Sequence, residues 1–153
     1  HLSRIGDGKL NLTLAYNYNT TKVDGGNSSL VTNPAQRQVF EERLPRQKAT
    51  ISGNYDLGNW NTLARVRYYG AWTDNSGNAT GDIFQRFGAM QFLDLAASYK
   101  ISDKQSLRVG VDNVLDKYPD EATFQASRGL IYSRNAPYDT DGRNLYVEYK
   151  VKF

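Results

Sequence analysis

Hydrophobic and polar residues alternate through the last eleven positions of the chain, 143–153. Leu145, Val147, Tyr149, Val151 and Phe153 occupy one parity, and most of the residues between them are polar or charged. Side chains of an extended strand point alternately to opposite faces, so this pattern predicts a strand with one apolar and one polar face. Taken alone, the segment favours equally an edge strand of a soluble sandwich and a strand at an apolar surface.

The same alternation recurs in five earlier segments, 9–19, 46–57, 60–72, 91–102 and 105–113. Gly58-Asn59 and Asp103-Lys104 predict tight turns between neighbouring segments. The connections 20–43, 73–90 and 114–142 are long and polar, and the first contains a helix-like patch at 35–43. The sequence therefore predicts an all-β fold, an antiparallel meander of about six long strands joined alternately by long and very short connections.

This alternation of long and short connections is typical of an outer-membrane barrel, whose long loops face outside and whose tight turns face the periplasm. Aromatic residues on the apolar parity form two groups, as two membrane interfaces require. Those near the short turns are Tyr55, Trp60, Tyr99, Tyr149 and Phe153, and those near the long loops are Tyr16, Tyr18, Tyr68 and Trp72. The charged residues of the other parity are predicted to face a hydrated lumen: Arg65, Arg67, Asp94, Lys100, Arg108, Asp112, Glu148 and Lys150.

The amino-acid composition argues against several kinds of chemical site in this chain. The chain has no cysteine and a single histidine, His1, which argues against disulfides, zinc sites and nucleophile–histidine pairs. Its carboxylates are scattered, so we expect no enzyme and no catalytic, cofactor-binding or metal site. The net charge of +3 is spread along the chain, whereas nucleic-acid binding requires a basic stripe. No apolar run could form a transmembrane helix, and no signal peptide is recognisable, so we expect a mature or truncated piece.

The run 107–118, LRVGVDNVLDKY, resembles a signature near the C-terminus of TonB-dependent outer-membrane receptors. Gly142-Arg143, followed by alternating apolar residues and the terminal Phe153, is similar to the ending of the same family. Leu44-Pro45-Arg46 and Tyr68-Tyr69-Gly70 also resemble its pattern. Val114-Leu115 departs from the usual Leu-Phe, and Asp141 departs from the usual residue before Gly-Arg. The resemblance spans roughly 44–153.

The resemblance implies a parent receptor with a plug inside a 22-stranded barrel. Such a receptor takes up a siderophore, cobalamin or carbohydrate through the bacterial outer membrane with energy from a TonB complex. Residues 1–153 would form a C-terminal portion of the barrel, in contact with outer-membrane lipid and completed by the upstream strands and plug of the parent. Tyr149, Val151 and Phe153 would be a signal for the barrel-assembly machinery. Open edges at 9–19 and 143–153 predict that the isolated chain self-associates.

Two alternatives stay open: a small complete eight-stranded barrel, if 82–87 and 121–132 each supply strands, and a soluble ligand-binding β-barrel. Four loop aromatics could contact a ligand at the outer mouth or pack the loops on themselves: Tyr118, Phe124, Tyr132 and Tyr138. Asn113 and Asp116 are predicted to cap a turn. Asp139-Thr140-Asp141-Gly142 resembles the start of a calcium loop but lacks its later acidic ligand. The sequence does not indicate the transported substrate.

Overall fold

The computed structural model describes residues 2–26, 32–75, 83–124 and 129–153. These residues form one helix and nine strands, which follow one another along the chain as β1 (Leu2–Ile5), β2 (Gly8–Tyr18), α1 (Pro34–Glu42), β3 (Gln47–Leu57), β4 (Trp60–Tyr69), β5 (Trp72–Asn75), β6 (Phe84–Phe87), β7 (Met90–Lys100), β8 (Gln105–Asp112) and β9 (Asn144–Val151).

Seven of these strands form one antiparallel sheet in the order β1-β2-β3-β4-β7-β8-β9, and β5 pairs with β6 in a separate two-stranded sheet. The six long strands predicted from the alternation are all present, each within two residues of its expected bounds except at the end of β4. The predicted all-β antiparallel meander is therefore confirmed. The sheet has β1 and β9 at its edges and does not close on itself.

The short strand β1 was not predicted. It pairs with β2 from Leu2 opposite Asn11 to Ile5 opposite Gly8, through a turn in which Gly6 has a φ of 60°. Four residues are too few for an alternation to be recognised. The Gly-Asp-Gly sequence at 6–8 was the available signal, because a positive φ in a tight hairpin turn favours glycine.

The strand predicted at 60–72 ends early, at Tyr69. Gly70 still donates its backbone N–H to the carbonyl of Gln47 at 2.8 Å, but Trp72 then begins β5 in the other sheet. Only 2% of the Trp72 surface is exposed, because the ring packs against Phe87 and Ala122. The expectation that Trp72 belongs to an aromatic girdle on the apolar face is wrong, because the parity of the strand is lost at 70–71.

The eight-stranded alternative required two further wall strands. The structure does form β6 within 82–87, but β6 pairs with β5 rather than with the main sheet, and residue 82 lies outside the described residues. Residues 121–124 and 129–132 contain no strand, and 125–128 lie outside the described residues. The described part of the chain therefore does not supply the strands that a small complete barrel would need.

Cross-strand pairing keeps each parity on one side of the sheet. One row runs from Leu12 through Gly53, Ala64, Leu95 and Val111 to Leu145, each residue opposite the next. The next row on the other side includes Arg65 opposite Asp94. Because of this register, the alternating residues of the six long strands form two continuous faces, one mainly apolar and one mainly polar.

The helix-like patch predicted at 35–43 is a helix, Pro34–Glu42. Asn33 caps its N-terminus, because the side-chain oxygen accepts from the backbone N–H groups of Ala35 at 2.8 Å and Gln36 at 3.3 Å. Pro34 occupies the first helical turn, where its missing N–H costs no hydrogen bond. In the described parts of the chain, no helix has the length and apolar character needed to cross a membrane.

Candidate functional site

One face of the large sheet is apolar and uncovered. The exposed fraction is 71% for Leu14 and 70% for both Leu145 and Val147, although all three lie inside regular strands. Further large apolar side chains on this face are exposed: Leu12, Ile51, Val66, Leu95, Val109 and Val151. A continuous apolar surface of this extent marks contact with another apolar phase or partner.

Aromatic side chains lie at both ends of the apolar face. Near the short turns, Trp60 is opposite Tyr99, and their ring centroids are 4.7 Å apart. Tyr149 continues this row beside Leu107, and Phe153 follows the end of β9 with its side chain fully exposed. Near the long loops, the corresponding residues are Tyr16, Tyr18 and Tyr68. The two groups stand at the levels predicted for them, apart from Trp72.

The opposite face carries a buried charge network centred on Asp94. The carboxylate accepts four hydrogen bonds, with Oδ2 bound by Arg65 Nε at 2.8 Å and Arg67 Nε at 2.7 Å. Oδ1 is bound by Arg67 Nη2 at 2.9 Å and by the backbone N–H of Asn113 at 3.0 Å. Asp94 is only 2% exposed, so a carboxylate shielded from water links β4, β7 and the end of β8 through two partly exposed arginines.

The network extends outward from Asp94 to groups that are more exposed. Arg65 Nη2 also donates to Asp112 Oδ1 at 3.4 Å, and the guanidinium of Arg67 lies 5.1 Å from the ring centroid of Phe92. Arg108 stands opposite Glu148 in the register, but its guanidinium lies 6.0 Å from the Tyr146 ring centroid instead. The predicted polar face is therefore one charged surface, held together most tightly at Asp94.

The long loops pack together through a second aromatic cluster. Trp72 stacks on Phe87 with ring centroids 4.6 Å apart, and Phe124 meets Phe87 edge-on at 6.4 Å. Trp72 Nε1 donates to the hydroxyl of Tyr138 at 3.2 Å. Tyr138 in turn contacts the ring of Tyr69 at 5.3 Å, and its burial raises the pKa of its hydroxyl. The β5–β6 pair and the connection before β9 are therefore joined to the polar face of the sheet.

Asp74 holds the same loops together by charge, and the sequence alone does not single it out. Its carboxylate is 0% exposed and accepts from Arg43 Nε at 3.1 Å, Ser133 Oγ at 2.6 Å and Asn135 Nδ2 at 2.9 Å. These partners come from segments far from Asp74 in the chain. No local pattern around Asp74 indicates them, because the contacts depend on loops that meet only in the fold.

The four loop aromatics named as ligand-contact candidates do not converge on one point. Phe124 and Tyr138 belong to the buried cluster around Trp72. Tyr118 and Tyr132 stack on each other with centroids 6.1 Å apart, and Tyr118 is half exposed. The nearby Asp116 carboxylate raises the pKa of the Tyr118 hydroxyl. Phe124 and Tyr132 are half-buried and Tyr138 is buried, so Tyr118 and Tyr132 are the two partly accessible rings that lie outside the Trp72 cluster.

Asn113 caps the turn after β8, as predicted, whereas the carboxylate of Asp116 bonds a backbone group outside that turn. Both have left-handed backbone conformations, with φ of 52° and 53°. Asn113 Oδ1 accepts from the N–H of Lys117 at 3.0 Å and its Nδ2 donates to the Lys117 carbonyl at 2.8 Å. Asp116 accepts from the backbone N–H of Arg143 at 2.9 Å, which fixes the start of β9.

The Asp139–Gly142 segment makes a local turn in which Asp139 accepts from the N–H of Asp141 at 3.0 Å. Among the described residues, no three His, Cys, Asp or Glu side chains converge so as to hold a metal ion.

The chain matches one known protein family over most of its length. The model of the family described as TonB dependent receptor-like, beta-barrel matches residues 4–114, more than half of the chain. The match runs from β1 to the turn after β8 and so includes the Asp94 network. A search of curated proteins finds no match. The chain belongs to the TonB-dependent receptor-like β-barrel family.

Proposed function

We propose that this chain is the C-terminal part of the barrel wall of a TonB-dependent transporter in the bacterial outer membrane. The observation that carries the proposal is the two-faced, open sheet, exposed and apolar on one side and charged on the other. In a membrane barrel the first face contacts lipid and the second lines the lumen. The family match supports the same role.

The open edges are the reason to place the chain in a larger barrel. Every backbone N–H and C=O group must be hydrogen-bonded inside a bilayer, and a β-sheet achieves this only when it closes into a barrel. Upstream strands of the parent would pair with the free edges, and a barrel of the family's size would leave room for a plug. The Asp94 network would stiffen the wall where it faces that interior.

The proposed cargo is a siderophore, a cobalamin, a carbohydrate or a similar ligand, taken up with energy supplied through the TonB complex. Ligand recognition would occur at the ends of the long loops. Tyr118 and Tyr132 are the proposed contacts within this chain, because stacked and partly exposed rings suit aromatic or sugar surfaces. The buried cluster around Trp72 would hold the loops in place around them.

Uptake by cells that express the complete gene product tests the proposal. We expect saturable uptake of one of the three ligand classes, abolished when the TonB complex is deleted or the proton gradient is collapsed. A strain lacking the gene is the matched control. Uptake that is independent of energy would instead favour a simple pore. A product that stays in the aqueous fraction without detergent would favour the soluble ligand-binding barrel.

The ligand contacts can be tested in the same cells once a ligand class has been found. Tyr118→Ala and Tyr132→Ala should each weaken ligand binding about tenfold, since each removes a stacking partner. Lys117→Ala, an exposed change on the same loop, should leave binding unchanged. Normal affinity in both tyrosine variants would show that these rings only pack the loop.

A further inference from the structure

A cavity of about 430 Å³ opens where the loop end of β3 and β4 meets α1 and the β5–β6 pair. Two of its lining residues, Gln47 and Tyr68, share the parity of the apolar face, and a third, Gly70, follows the end of β4 beside Gln47. Tyr68 lies opposite Ala49 in the register, and two residues further along each strand the backbone N–H of Gly70 donates to the carbonyl of Gln47. The cavity therefore lies at the edge of the apolar face, at the level of the aromatic residues nearest the long loops.

The other walls of the cavity carry charge, from Arg46, Arg86 and Glu42. Arg86 stands opposite Thr73 in the β5–β6 pair, on the side away from the buried Trp72–Phe87 stack. Within the described residues, neither Arg46 nor Arg86 forms an ion pair, in contrast to Arg43 and Arg67, which are bound to Asp74 and Asp94. Two exposed arginines and one exposed glutamate leave an excess of one positive charge along the cavity wall.

We propose that this cavity binds the phosphate-bearing headgroup of a membrane lipid, with Arg46 and Arg86 as the phosphate ligands. A guanidinium presents a planar set of donors that matches phosphate oxygens, and basic pockets at the surface of membrane proteins bind anionic headgroups. The inference rests on the proposed function, because it requires the apolar face to be in a bilayer.

The apolar face also offers a path for the acyl chains. Ala49 separates Tyr16 from Tyr68 in one cross-strand row, so a small residue lies between two large rings directly below Gln47. An acyl chain running from the cavity along β3 would pass over Ala49 towards Ile51, which is itself exposed. This continuity with an apolar surface distinguishes a lipid headgroup from free phosphate as the ligand.

Titration of the complete gene product in neutral detergent with short-chain phosphatidic acid tests the site. Arg46→Gln and Arg86→Gln should each weaken binding about fivefold, the usual effect of one basic residue near an anionic lipid surface. Glu42→Gln should strengthen binding, because it removes the negative charge from the cavity. Lys22→Gln and Lys117→Gln remove the same charge from loop residues outside the cavity and should have no effect.

Binding of inorganic phosphate as tightly as phosphatidic acid would overturn the lipid assignment, and equal losses in the lysine controls would overturn the site. Heat-modifiable electrophoresis of the same samples separates this inference from the proposed function. A folded barrel whose lipid affinity is unchanged by both arginine substitutions overturns the inference alone. A product that is soluble without detergent overturns the proposed function as well.

Discussion

Asp94 is a buried carboxylate whose two oxygens are fully occupied by four hydrogen-bond donors. Breaking a buried ion pair by removing one partner is costly, because the other charge stays desolvated. Asp94→Asn would also turn an amide N–H₂ towards Arg65 or Arg67, where only donors are present. We expect a loss of about 3 kcal/mol in the free energy of unfolding, measured by urea unfolding of the complete barrel in detergent.

Asp112→Asn is the matched control, since its contact with Arg65 is long, at 3.4 Å, and its side chain is partly exposed. Partly exposed ion pairs contribute only about 0–1 kcal/mol. Equal losses for the two substitutions would mean that burial of Asp94 is not what makes the network stabilising.

Asp74 has a different role from Asp94 because its partners are loops rather than strands. Asp74→Asn should release Arg43, Ser133 and Asn135 from a shared anion while leaving the sheet pairing intact. We expect faster proteolysis within 129–143 and an unchanged heat-modifiable barrel. Asp139→Asn, in an exposed turn of the same connection, is the control. Loss of the folded barrel in Asp74→Asn would contradict this separation between loops and wall.

At the scale of strands, parity decides which positions tolerate a charge. Val109 lies opposite Val147 on the exposed apolar face, whereas Thr13 and Ser98 lie on the polar face. An arginine facing the bilayer midplane costs about 2–4 kcal/mol. Val109→Arg and Val147→Arg should therefore lower the amount of heat-modifiable barrel, and Thr13→Arg and Ser98→Arg should not. Equal effects in the two pairs would contradict the assignment of the faces, and a larger loss for Thr13→Arg and Ser98→Arg would reverse it.

The end of β9 provides a second prediction at this scale. Tyr149 and Val151 lie on the apolar face, and Phe153 follows with its ring fully exposed. The resemblance implies that the assembly machinery reads an aromatic residue at this position, and the exposed Phe153 ring would be accessible to it. Deleting Phe153 should lower the quantity of inserted receptor, measured by quantitative blotting of outer membranes. Normal quantity with poor ligand binding would show that Phe153 acts at the ligand site instead.

The long strands could be predicted because each holds a period of two over eight or more residues, and register then fixes the faces. The short strands could not, since four residues in β1 or β5 carry too little periodicity to outweigh neighbouring turn signals. The loss of parity after Tyr69 could not be predicted for the same reason. This loss explains why Trp72 was expected on the apolar face of the large sheet. Asp74 and its partners Ser133 and Asn135 are about sixty positions apart in sequence, so only the fold brings them together.

At the scale of the whole molecule, the two edges of the large sheet determine how the isolated chain should behave in water. β9 pairs only with β8, so the backbone groups along its outer side have no strand beside them in the described structure. At the other edge, the expectation of a fully open strand 9–19 needs correction. β1 covers Gly8 to Asn11, and the remainder of β2, from Leu12 to Tyr18, is left open.

Open edges beside an uncovered apolar face should make the isolated 153-residue chain associate with itself in water. An unpaired edge strand is a template for pairing with another chain, and the apolar face adds a second surface for association. We expect sedimentation without detergent to show large assemblies that dissociate when detergent is added. The assemblies should not bind the parent's substrate tightly, because the plug and most of the outer mouth would be supplied by the rest of the parent.

Detergent is the discriminating control, because it covers the apolar face but does not pair the edges. Residual dimers in detergent would therefore report edge-to-edge pairing, and complete dissociation would show that the apolar face drives association. A monomer that is stable in water and binds the ligand tightly would contradict both mechanisms of association. It would require the apolar face and the two edges to be covered from within the chain, which is how a soluble ligand-binding barrel would be built.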